Sequence, residues 1–110
     1  MTTIRAGAPL VTLINVFTVV PERQQELIDV LVEATEGVMW HQPGFISANV
    51  HRSLDGRRVT NYAQWRGRED FEAMLRSPDA QAHMRQAADV ADSFEPHLYE
   101  VAFVESTAEG

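Results

Sequence analysis

The sequence predicts an α+β domain built on an antiparallel sheet, and three observations predict it. A β-branched run near the N-terminus, Leu10–Val20, is apolar on both of its faces. A stretch with helical spacing of apolar residues follows it. Two alternating segments then flank Asp55-Gly56, a pair that favours a tight hairpin turn.

In the first strand, Val11, Leu13, Phe17 and Val19 point one way, and Leu10, Ile14 and Val16 the other. A strand covered on both faces is a central one. Asn15 is the polar member of the first set. Pro21 then opens a helix, with Glu22 beside it, where a fixed φ and a negative charge suit the first turn. Leu27, Leu31, Ala34 and Val38 make one apolar stripe, widened by Ile28. That helix is expected to end near Trp40, ahead of the turn-forming Gln42-Pro43-Gly44. Phe45–Ser53 reads as the second strand and Arg58–Trp65 as the third, with Val59, Asn61, Ala63 and Trp65 on one face. Arg66–Arg76 carries Phe71, Met74 and Leu75 at helical spacing. Ser77-Pro78-Asp79 supplies an N-cap and a first-position proline for a helix through about Asp92. The last strand is expected over His97–Glu105, after Pro96. The small and polar ends, residues 1–8 and 106–110, are expected to fray.

Strand, helix, strand, strand, helix, strand is the ferredoxin-like βαββαβ plan, with the first and third strands at the centre of the sheet. All 110 residues are expected to form one domain, with its core over about residues 10–105. Helices cover one face of such a sheet. The other face, which includes Ile14 and Val16, needs a cover, and a homodimer placing sheet against sheet supplies it.

Composition excludes several classes of chemistry. All nine basic residues are Arg, and there is neither Lys nor Cys. Disulfides, thiolate nucleophiles and cysteine-ligated metals are therefore absent, as are Schiff-base and pyridoxal lysines. Sixteen acidic residues give a net charge of −7, and no basic run offers a nucleic acid or an anionic membrane a place to bind. No stretch is apolar for long enough to span a bilayer. Thr12, Asn15 and Thr18 interrupt the run that most resembles a signal peptide, so the expected location is cytoplasmic.

No nucleotide, flavin or metal signature is present. His41, His51, His83 and His97 form no pair at helical ligand spacing and read as surface or boundary residues. The informative polar residues are Asn15 and Asn61, placed by the proposed register on the same helix-covered side. They are either core amides bonded to backbone or amides lining a ligand cavity, and the sequence leaves both open. Trp65 lies four residues past Asn61, about 13 Å away at ~3.3 Å per residue, and suits either core packing or the far end of a flat ligand. Arg85, in the Ala-rich stretch Ala80–Ala91, is either a solvated arginine or a group with open space around it.

Asn61-Tyr62-Ala63-Gln64-Trp65, preceded by Gln42-Pro43-Gly44-Phe45 and the Asp55-Gly56 hairpin, resembles the antibiotic biosynthesis monooxygenase family, and in particular its actinorhodin-pathway type. The resemblance spans roughly residues 10–105. It implies a dimeric α+β barrel that oxygenates aromatic polyketides with O₂ and without metal, flavin or haem. Asn61 and Trp65 match the family's strand asparagine and tryptophan, and Arg85 a helix arginine. Phe71 stands where the actinorhodin type has a tyrosine, and His51 falls on a histidine of that type.

The implied reaction takes an anthrone or hydroquinone to a quinone, the substrate supplying the electrons a flavin usually would. Asn61, Trp65 and Arg85 are the expected catalytic residues. Asn61 would donate to the developing oxyanion, Trp65 would hold the polycycle, and Arg85 would neutralise phenolate or superoxide. Asn15, His51, Phe71, Met74 and His83 are expected to line the substrate pocket. The proton acceptor stays open among His51, His83 and solvent. Two alternatives accompany this reading. One is a polyketide cyclase or a dimeric binding or stress protein of the same fold. The other is a haem-degrading monooxygenase, for which Asn15 and His83 lie near the expected positions but Met74 replaces a tryptophan.

Overall fold

The computed structural model describes residues 1–107; part of the expected C-terminal fraying concerns 108–110, which lie outside the described residues. Its strands are β1 (Val11–Thr18), β2 (Phe45–Arg52), β3 (Arg58–Trp65) and β4 (Ser93–Tyr99), and its helices α1 (Gln24–Gly37), α2 (Arg68–Leu75) and α3 (Pro78–Val90). The four strands form one antiparallel sheet in the order β2-β3-β1-β4, with β1 and β3 central. This is the ferredoxin-like arrangement.

The β1–β3 register places Leu13 opposite Ala63, Asn15 opposite Asn61 and Phe17 opposite Val59. These side chains share one face, and the helices cover it. The buried core falls into two apolar clusters. One gathers Leu13, Ala63, Trp65, Phe71, Met74 and Ala80; the other gathers Phe17, Val19, Leu27, Val59, Ala87, Val90 and Ala91. Between them lie Asn15 and Asn61.

Helix α1 opens through a 3-10 turn over Pro21–Arg23 and stops at Gly37, earlier than expected. The backbone leaves helical geometry at Val38 (φ −125°), and a 3-10 turn over Met39–His41 carries the chain to Gln42. Gln24, only 8% exposed, donates through Nε2 to the carbonyls of Ser53 and Arg58, 3.1 and 3.0 Å away. That amide ties the start of α1 to the β2–β3 hairpin. Gln24→Ala removes both of these hydrogen bonds and is expected to cost about 1–3 kcal/mol in urea unfolding. Within the hairpin, the Ser53 hydroxyl and the Arg57 amide hold the Asp55 carboxyl below its ordinary range. Because the folded pKa is the lower one, this contribution is complete above the ordinary value of 3.8 and is lost as pH falls through the depressed value.

Gly44 adopts φ +83°, and a Cβ there would meet the carboxyl group of Asp70. Asp70 is held in place by the guanidinium of Arg66, at 2.8 and 3.0 Å, while the Arg66 amide donates to the Gly44 carbonyl at 2.7 Å. Gly44→Ala is therefore expected to cost about 2 kcal/mol, seen as a drop of several degrees in Tm.

Three further expectations need correction. The last strand runs over Ser93–Tyr99 rather than His97–Glu105, so Pro96 sits inside it, opposite Asn15. An edge strand tolerates this because the missing N–H falls on the unpaired side. Helix α3 ends at Val90, short of Asp92, after the expected Ser77 cap and Pro78 start. The N-terminus does not simply fray. Thr2 donates to Asn49 Oδ1 at 2.7 Å, and Gln64 Nε2 donates to the Thr3 carbonyl at 2.8 Å. This arm lies over one end of the outer sheet face, where Thr12 and Gln64 are each only 2% exposed. Ile14 and Val16, further along that face, are half-buried. No helix among the described residues is long and apolar enough to cross a membrane.

Candidate active site

Asn15 and Asn61 face each other across β1 and β3, which puts their Cβ atoms about 5 Å apart. Neither amide makes a side-chain hydrogen bond among the described residues, and both Oδ1 atoms are enclosed without a partner in the chain. Core amides bonded to backbone would not show this. Their burial comes from the apolar clusters on either side of them.

Helix α3 crosses this seam. Ala80 belongs to the cluster around Trp65, and Ala87 to the cluster around Phe17. Steps of three and four residues put His83 on the same face of the helix, over Asn15 and Asn61. His83 is half-buried, and its Nδ1 is also enclosed without a partner in the chain.

Trp65 closes one end of the seam. It is 2% exposed and meets Phe45 and Phe71 edge-on, with ring centroids 5.5 and 6.1 Å apart. Its Nε1 is a third type of enclosed group lacking a partner. Phe71 (8% exposed) and Met74 (4% exposed) pack behind the indole and form the end wall. The seam thus collects hydrogen-bonding capacity on one narrow strip of an otherwise apolar interior. Each such group costs stability in the free protein, so the arrangement suits a ligand that carries its own oxygens.

Two expected site residues lie elsewhere. Arg85 is exposed, and five residues past Ala80 it points about 140° away from that buried face. His51 pairs with Thr60, so it lies on the outer sheet face, where Nδ1 lies 2.9 Å from the Asn49 carbonyl. A register shift between Phe45 and Ser47 is the cause. Counting by twos from inward-facing Phe45 brings His51 inside; one inserted residue turns it outside.

Leu98, half-buried and packed against the cluster around Trp65, is a further neighbour of the seam that the sequence does not single out. Met84, also half-buried, sits only about 40° from Ala80 around α3, a phase recoverable from the Ala80–Ala87 spacing. A separate cavity of about 610 Å³ lies at the β2 edge, lined by Arg5, Trp40, Phe45, Ile46 and Gln64 among others. It does not open on Asn15, Asn61 or His83. No group of three His, Cys, Asp or Glu side chains among the described residues is placed to hold a metal.

Comparison with known proteins agrees with this geometry. Residues 10–86 match the family model described as antibiotic biosynthesis monooxygenase. The tetracenomycin-F1 monooxygenase of Streptomyces glaucescens is 53% identical over 83 residues, which cover 76% of this chain and 74% of the relative. Among solved structures, an anthrone oxidase-like protein superposes with a TM-score of 0.83 at 27% identity, over 90% of this chain and 42% of that one. SnoaB of Streptomyces nogalater, described as a cofactor-independent oxygenase, shares the fold with a TM-score of 0.74 at 24% identity, over 94% of this chain and all of its own. With the family model spanning β1–β3, the seam asparagines, Trp65 and most of α3, the chain belongs to the antibiotic biosynthesis monooxygenase family.

Proposed function

We propose that this chain is a monooxygenase that uses O₂, without metal, flavin or haem, to oxidise a polyketide-type anthrone or hydroquinone to a quinone. The observation that carries the reading is the seam: two amide oxygens, an indole N–H and one imidazole nitrogen, enclosed and unpaired along two apolar clusters. The identity to a tetracenomycin-F1 monooxygenase and the likeness to an anthrone oxidase-like protein support the substrate class.

The chemistry suits so spare a site. Anthrones and hydroquinones are acidic and easily oxidised, so their anions can reduce O₂ directly. Asn61, with Asn15 across from it, hydrogen-bonds the oxygen on which negative charge develops, an interaction typically worth about 3 kcal/mol in the transition state. Trp65 holds the far end of the polycycle by ring contact and by its free N–H. The surrounding helices keep water from the radical and peroxide intermediates.

Oxygen uptake with a panel of anthrones and quinols, in metal-free buffer with no added cofactor, tests this. One O₂ consumed per quinone formed is the expected result. Turnover abolished by EDTA, or dependent on added flavin, overturns it.

The same reading places a second copy of the chain on the outer sheet face, against half-buried Ile14 and Val16. Light scattering is expected to give twice the 12.4 kDa chain mass, and Ile14→Glu is expected to shift it toward one chain.

A further inference from the structure

Loss of a substrate proton requires an acceptor, and asparagine and tryptophan side chains have no useful basicity. We propose that His83 is the proton-accepting residue of the oxygenation, taking the substrate proton on Nδ1. The proposal rests on the oxygenation reading above.

The other histidines are unsuited by position. His51 is exposed on the outer sheet face, and His97 is exposed with Nε2 3.3 Å from Glu95. His41 is exposed in the 3-10 turn after α1. His83 alone has a ring nitrogen enclosed without a partner in the chain, on the helix face that crosses Asn15 and Asn61. No carboxylate lies at the inward positions of β1 and β3, which are apolar apart from the two amides and the indole N–H. The other ring nitrogen, Nε2, is not enclosed in this way, and the side chain is only half-buried. One nitrogen is thus enclosed, on the helix face turned to the sheet, while the ring reaches solvent, so the proton has a route out.

For an anthrone the steps balance as follows. Nδ1 takes a proton from the methylene carbon, leaving the enolate. The enolate passes one electron to O₂, and the carbon radical and superoxide join in a C–O bond. The imidazolium returns its proton to the peroxide. Loss of the second C–H proton then breaks the O–O bond, and the departing hydroxide leaves as water. The methylene becomes a carbonyl, losing four electrons, and O₂ gains four, one oxygen staying in the quinone.

Oxygen uptake by the full chain, with dithranol and a series of anthrones of graded acidity, tests the assignment. His83→Gln is expected to lower kcat about 100-fold or more, with KM changed by less than about threefold. The deficit should shrink as the substrate becomes more acidic, and added imidazole should restore part of the rate of His83→Ala. A residue that only supports packing produces neither effect. Turnover by His83→Gln within about threefold of the unaltered protein overturns the proposal. So does a loss in both variants that neither imidazole nor a more acidic anthrone reduces. If the unaltered protein consumes no O₂ with any anthrone or quinol, the oxygenation reading falls as well.

Discussion

Asn61→Leu is expected to make the free protein more stable and a far poorer enzyme. Leucine has the branched shape of asparagine without its polar atoms. The Asn61 Oδ1 is enclosed between apolar clusters and has no partner in the chain. Leaving such a group unpaired typically costs about 1–3 kcal/mol, and the substitution removes that cost. It also removes the amide proposed to bond the developing oxyanion, for which a loss of about 100- to 1,000-fold in kcat is typical. Thermal melts and oxygen uptake on the same preparation measure both. A variant that melts lower and still turns over would show that Asn61 is a structural amide and not part of the site.

Trp65 carries the second large effect, and two substitutions separate its roles. Trp65→Ala empties a site that is 2% exposed and takes away the ring on which Phe45 and Phe71 rest edge-on. Aromatic-to-alanine changes in cores cost about 3–5 kcal/mol, a large share of the stability of a domain this size. Denaturant unfolding is expected to show that loss directly. Trp65→Phe keeps an aromatic wall and removes Nε1–H, which pairs with nothing in the chain. Its cost is expected to be much smaller, because the ring lost is offset in part by relief of an unpaired donor. KM for the aromatic substrate is expected to rise about tenfold, the effect of one hydrogen bond. Unchanged KM in Trp65→Phe would leave Trp65 with packing alone.

Both residues were legible in the sequence because strand alternation is a local property. Val59, Asn61, Ala63 and Trp65 occupy every second position of one strand, and an asparagine among them stands out without knowledge of the fold. The turn chemistry at Gln42-Pro43-Gly44, Asp55-Gly56 and Ser77-Pro78 was equally local, and β2, β3 and α3 begin close to where it places them. The last strand was less legible. Proline in a sequence marks the start of a strand, whereas the position of β4 at the sheet edge admits Pro96 in its middle.

Arg85 and His51 show where local reading stops. In an Ala-rich helix the small residues themselves form the buried face, since Ala80 and Ala87 let α3 sit close to the sheet, and composition does not announce that phase. Arg85 is therefore turned to solvent and His83 inward. His51 depends on a single extra residue between Phe45 and Ser47, visible only once β2 is paired with β3. The sequence alone determined the order of elements, the central strands, the seam asparagines and Trp65, because spacing along one segment specifies them. Tertiary structure alone decided that His83 is turned toward them and that His51 and Arg85 are turned away. Those choices depend on register between strands and on the rotation of a helix over a sheet, where a shift of one residue reverses the outcome.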